Sequence, residues 1–227
     1  MSFKEFKKSL NGEGVEGELI KTVLYSLIVS LGFLFILYYF KFKTMEDFIP
    51  KYGFYLFFAA LSYAVIIPAL RQVRAYKYLS CMSGMMIGMT IGMIAGFLPG
   101  FFVGATNGMF WGSVMGMIVG IPFGVWTGKC CGVMGIMEGM MAGFMGSLMG
   151  AMTAVMMIND NVKIASVIVF VIGSAIMFSL NYMIYTETRE TERQIKEDHV
   201  ITIVLSFALT AITTWLMVYG PRSVLFG

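Results

Sequence analysis

From residue 84 to residue 132 a glycine falls at every fourth position without a break: Gly84, Gly88, Gly92, Gly96, Gly100, Gly104, Gly108, Gly112, Gly116, Gly120, Gly124, Gly128 and Gly132. After one three-residue step the row resumes at Gly135, Gly139 and Gly143, with Ser147 and Ala151 in register behind them. In water each such glycine disfavours a helix by about 1 kcal/mol relative to alanine. In hydrocarbon the balance reverses. An unpaired backbone group costs several kcal/mol there, so an apolar segment becomes helical whatever its propensity. Glycine at i and i+4 then lets two helices approach backbone to backbone. The row therefore predicts a tightly packed, glycine-zippered membrane core, with Gly84, Gly88, Gly92, Gly112, Gly116, Gly135, Gly139 and Gly143 as packing residues.

Four residues turn an ideal helix by about 400°, so a period-four row drifts roughly 40° per repeat. Such a row cannot be a straight seam against one partner. It suits right-handed small-xxx-small crossings, or contact with two neighbours.

The rest of the chain agrees. It is 58% hydrophobic and 13% charged, an integral-membrane composition. A formal charge of +3 is too small to imply nucleic acid. Three cysteines and one histidine exclude a disulfide framework and a standard zinc module. The first apolar run is long enough to span and lacks a small-residue cleavage site, so no cleavable signal is expected.

The expected fold is an all-α integral membrane protein of about seven spans, with a core of three Met/Gly-rich helices. Residues 1–19 are a cytoplasmic polar or interfacial segment, with Lys4, Lys7 and Lys8 among Phe3, Phe6 and Leu10. Residues 20–79 hold two spans, Ile20 to Phe40 and Gly53 to Leu70, the second ending near Pro68. Arg71, Arg74 and Lys77 follow as a basic loop. Residues 80–157 are the core. One break is expected at Trp126 to Gly132 and another at Asn107, with a kink near Pro99. Residues 158–227 hold two further spans, Val162 to Ile184 and Val200 to Tyr219, joined by the charged stretch Thr186 to His199.

Seven spans distribute the cations unequally. Lys4, Lys7, Lys8, Lys21, Arg71, Arg74, Lys77, Lys129, Arg189, Arg193 and Lys196 fall on the amino-terminal side; Lys41, Lys43, Lys51, Lys163 and Arg222 fall on the other. The positive-inside rule then puts the amino terminus in the cytoplasm and the carboxyl terminus outside, most simply in the plasma membrane.

With this topology Cys81, Cys130 and Cys131 all lie at the cytoplasmic end of the core, where thiols stay reduced. Two sulfur rows run away from them. One is Cys81, Met85, Met89 and Met93. The other is Cys131, Met134, Glu138, Met141, Met145, Met149, Met152 and Met156, a continuous helix face. Thiolate and thioether are the ligands that select Cu(I). A thioether ladder ending at thiols would bind or conduct such an ion, with Cu(I) as a possible cofactor or cargo and a soluble metal carrier as a possible partner. Glu138 is the one acid inside the core helices, a position that defaults to function. The alternative is an oligomeric pore or scaffold subunit whose methionines only fill gaps between glycine-rich helices.

Met-xxx-Met beside Gly-xxx-Gly resembles the pore helices of the Ctr copper uptake proteins. The likeness covers these two short motifs; Ctr proteins have three spans and a methionine-rich extracellular tail. There is no nucleotide loop, catalytic triad or haem-type histidine pair, so a conventional enzyme is not expected.

Overall fold

The computed structural model describes residues 15–40, 52–76, 80–188 and 199–221. Residues 1–14 of the expected amino-terminal segment, the loop at 41–51 and most of the charged stretch before His199 lie outside these residues. The described residues form seven α-helices and no strand: α1 (Val15–Phe40), α2 (Phe54–Ala75), α3 (Cys81–Asn107), α4 (Met109–Gly128), α5 (Gly132–Met156), α6 (Val162–Thr188) and α7 (His199–Tyr219). A single turn of 3-10 helix, Lys129–Cys131, joins α4 to α5. Six helical stretches have the length and hydropathy to cross a bilayer, Met109–Met156 being one stretch of 48 residues folded back on itself at that turn.

The two turns in the core fall where backbone demands glycine. Gly108 has φ 101° and Gly132 has φ 68°, both in the region that side chains disfavour. Asn107 closes α3 beside the first, as its position predicts. Its Nδ2 donates to the Leu216 and Gly220 carbonyls at 2.9 and 3.2 Å, tying this turn to the end of α7.

Glycines dictate how α3, α4 and α5 meet. Along α4 and α5 the facing pairs are Gly128 with Gly135, Gly124 with Gly139, and Gly120 with Gly143. One number falls as the other rises, so the pair is an antiparallel hairpin. Along α3 and α4 the pairs are Gly88 with Gly128, Gly92 with Gly124 and Gly96 with Gly120, again antiparallel. Along α3 and α5 both numbers rise together: Gly92 with Gly139, Gly96 with Gly143, Gly100 with Ser147, Gly104 with Ala151. Gly92 and Gly96 each touch both neighbours, as the drift of a period-four row requires. At most of these positions an added Cβ would lie within 3 Å of a backbone atom of the facing helix, often a carbonyl oxygen. The hydrogen in that place points at the oxygen, a weak Cα–H···O contact of about 0.5–1 kcal/mol.

The other helices wrap the far side of α3. Its Phe102 stacks on Phe58 of α2 at 6.3 Å, and Phe58 meets Phe170 of α6 edge-on at 5.5 Å. Tyr63, Ile66, Ile91, Leu98 and Phe101 are fully buried here. On α1 and α7, buried hydroxyls replace glycine as the small contact residues; Ser26 and Ser206 share a hydrogen bond of 2.9 Å.

Two boundaries differ from expectation: α1 begins at Val15, within the segment expected to precede the first span, and α2 ends later than Leu70. α2 runs through Pro68 to Ala75, so Arg71 and Arg74 stand on a helix rather than in a loop. Proline removes one intrahelical hydrogen bond, which neighbouring helices can offset in a packed bundle. Arg71 is buried and donates to the Thr22 hydroxyl of α1 at 2.8 Å. Arg74 stacks on Trp126 of α4 at 4.5 Å, a cation–π contact.

Candidate functional site

Three cysteines meet at one end of the core. Ser80 caps α3, its hydroxyl accepting from the Ser83 N–H at 3.4 Å, so that Cys81 is the first helical residue. The 3-10 turn and the positive φ of Gly132 bring Cys130 and Cys131 back over the first turn of α3. Gly84 makes room for them: a Cβ added there would lie 2.6 Å from each of their sulfurs. Two atoms each 2.6 Å from one point are at most 5.2 Å apart, twice that distance.

The Cys131 thiol donates to the Cys81 carbonyl at 2.7 Å. The Cys130 thiol donates to the Thr127 carbonyl at 3.4 Å. All three cysteines are free; Cys81 and Cys130 are exposed and Cys131 is half-buried. Among the described residues, no group of three or more His, Cys, Asp or Glu side chains is arranged to hold a metal ion.

The methionine rows do not line the inside of the bundle. Met134 and Met141 are each 61% exposed, and Met145, Met149, Met152 and Met156 are exposed beyond them. They form the outer face of α5, and its inner face is Gly135, Gly139, Ala142, Gly143, Gly146 and Gly150. The row on α3 is split: Met89 is exposed, while Met85 and Met93 are half-buried. The Met93 backbone lies against Gly146, which brings this row alongside α5. Glu138 is half-buried on the outer face of α5. It borders a groove of about 590 Å³ walled by Met134, Met137, Met140, Met141 and Phe144 with Ile121 of α4.

The structure thus brings Cys81, Cys130 and Cys131 together and sets Met134, Glu138, Met141 and Met145 in line from them. Sequence reasoning overlooked the polar contacts of α1, α2 and α7. Thr22, Ser26 and Ser30 recur every four residues, as do Thr202, Ser206, Thr210 and Thr214, all buried. That spacing was the available signal. Gln72 and Asn181 gave none, because their meeting depends on how α2 packs on α6.

No family model, curated protein or solved structure matches this chain.

Proposed function

We propose that the chain is a seven-span membrane protein whose glycine-zippered three-helix core presents a sulfur face for a soft monovalent ion, Cu(I) foremost. One observation carries this reading: the α5 methionines project outward in a row that begins beside Cys130 and Cys131, whose thiols converge over Gly84. Facing glycines already close the gaps inside the bundle, so these side chains are free of that task. Thioethers hold a soft ion weakly enough to release it, and thiols hold it more strongly. The interior of one chain is closed by backbone contacts. A sulfur-lined path across the membrane would therefore form between copies, with their α5 faces around a common axis. Glu138, about 10 Å along the axis from Cys131, would offset the ion's charge. A second reading, a scaffold subunit, draws on the exposed Met137, Met140 and Phe144, which widen the apolar face beyond the sulfur row.

Metal bound to the purified, reduced protein separates these readings. Cu(I) or Ag(I) should bind in preference to Zn(II). Met134→Leu and Met141→Leu should each lower the bound ion and the flux through vesicles. Leucine keeps volume and apolarity at a cost usually below about 1.5 kcal/mol, so the variants should fold. Leucine variants equal to the parent in both measurements would leave the scaffold reading.

Orientation is tested separately. With the amino terminus and Lys129 in the cytoplasm, an impermeant maleimide added to sealed cells should miss Cys130 and label it after permeabilisation. Labelling of intact cells would reverse the topology.

A further inference from the structure

The groove of about 590 Å³ on the outer face of α5 is within the size range of small-molecule sites. Its walls run from Met134 to Phe144, roughly 15 Å along the helix axis, with Ile121 of α4 at the side. Glu138 stands between them, the seventh of 25 residues in α5. Among the described residues, none donates a hydrogen bond to its carboxyl or pairs with it as a cation. No other side chain that lines the groove carries a charge or a hydrogen-bond donor.

What the lining offers and what it lacks specify an occupant. Four methionines and a phenylalanine suit an apolar body, and flexible thioether chains adapt to its shape. A carboxyl group on the outer face of a spanning helix is costly without a partner. A cation would offset that cost, and the exposed Phe144 ring can add a cation–π contact. An anion finds no donor in the groove. A bare metal ion would fill little of its volume. We propose that this groove binds a lipophilic organic cation, a quaternary phosphonium or ammonium ion with bulky apolar substituents. The apolar body lies among the methionines and the charge lies against Glu138. Because the groove opens on the outer face of α5, the molecule enters sideways from the bilayer. The site rests on the membrane reading. It shares Met134, Glu138 and Met141 with the proposed ion path and needs none of the thiols.

The test uses the full chain, purified in detergent, reduced and free of metal, with binding followed by equilibrium dialysis against protein-free detergent. Tetraphenylphosphonium should bind saturably, at one site per chain. Tetraphenylborate, of the same shape and opposite charge, should not. Glu138→Gln keeps the size of the side chain and removes its charge, so it should fold, and it should lower tetraphenylphosphonium affinity at least about 10-fold. Phe144→Leu should lower that affinity about 3-fold. Absence of saturable tetraphenylphosphonium binding, equal binding of the two ions, or undiminished affinity in Glu138→Gln overturns the proposal and leaves the groove to lipid chains. Cu(I) binding, titrated separately on the same preparation, decides the metal reading independently of that result. Recovery of the chain from cells without detergent would overturn the membrane reading and this site with it.

Discussion

Gly139→Ala is expected to cost about 3 kcal/mol or more, a large part of the stability of an ordinary domain. The new methyl group would occupy the place of the Gly124 carbonyl oxygen, with the Gly124 carbon and Cα close behind. Backbone cannot rotate away as a side chain can, so α4 and α5 must part, and α3 loses its fit to both. The Cα–H···O contacts along the seam weaken together. A matched control is Gly32→Ala on α1, where nothing lies within 4 Å of the added atom. The same chemical change there should alter stability by less than about 1 kcal/mol. Gly84→Ala is intermediate in kind, because its Cβ would meet two sulfurs, which can move. It should melt near the parent yet displace Cys130 and Cys131. Thermal unfolding and gel filtration in detergent distinguish the three. A Gly139→Ala protein that melts with the parent would refute the close approach of α4 and α5.

The second large effect is on ion binding. Exchanging both Cys130 and Cys131 for serine removes the two thiols that converge over Gly84 and leaves hydroxyls of similar size. Loss of a supporting group around a metal ligand typically costs about 10–100-fold in affinity, so loss of two ligands should exceed 100-fold. Cys81→Ser should cost less, since what Cys81 offers Cys131 includes its backbone carbonyl, which the variant keeps. Glu138→Gln should slow ion passage more than it weakens binding at the thiols. Competition with a chromogenic Cu(I) chelator gives the affinities, and Ag(I) uptake by proteoliposomes gives the flux. Retention of parental affinity by the double serine variant would move the site off the cysteines.

The helical character of the core and its two turns were legible in the sequence, because both are local consequences. Unbroken apolar residues settle helix in hydrocarbon, and Asn107-Gly108 and Gly128 to Gly132 carry the turn chemistry. The two-neighbour contact of the glycine row followed from the arithmetic of 3.6 residues per turn. Where α2 ends was misread. Proline is a local stop signal, but whether a helix continues past it depends on neighbours that support the backbone, here including α1 through Arg71 and Thr22.

Periodicity alone established that one face of α5 is glycine and another is sulfur. It could not say which face turns inward, since methionine suits a core as well as it suits lipid. The tertiary structure decided that: backbones that pair through glycine come too close to admit a methionine, so the sulfurs turn out. Likewise, sequence placed three cysteines at one end of the core, while the convergence of Cys130 and Cys131 on Gly84 required α4 and α5 to fold back as a hairpin against α3. Residue spacing specifies a face. Contact between faces belonging to distant segments depends on how those segments pack, and only the folded chain supplies that.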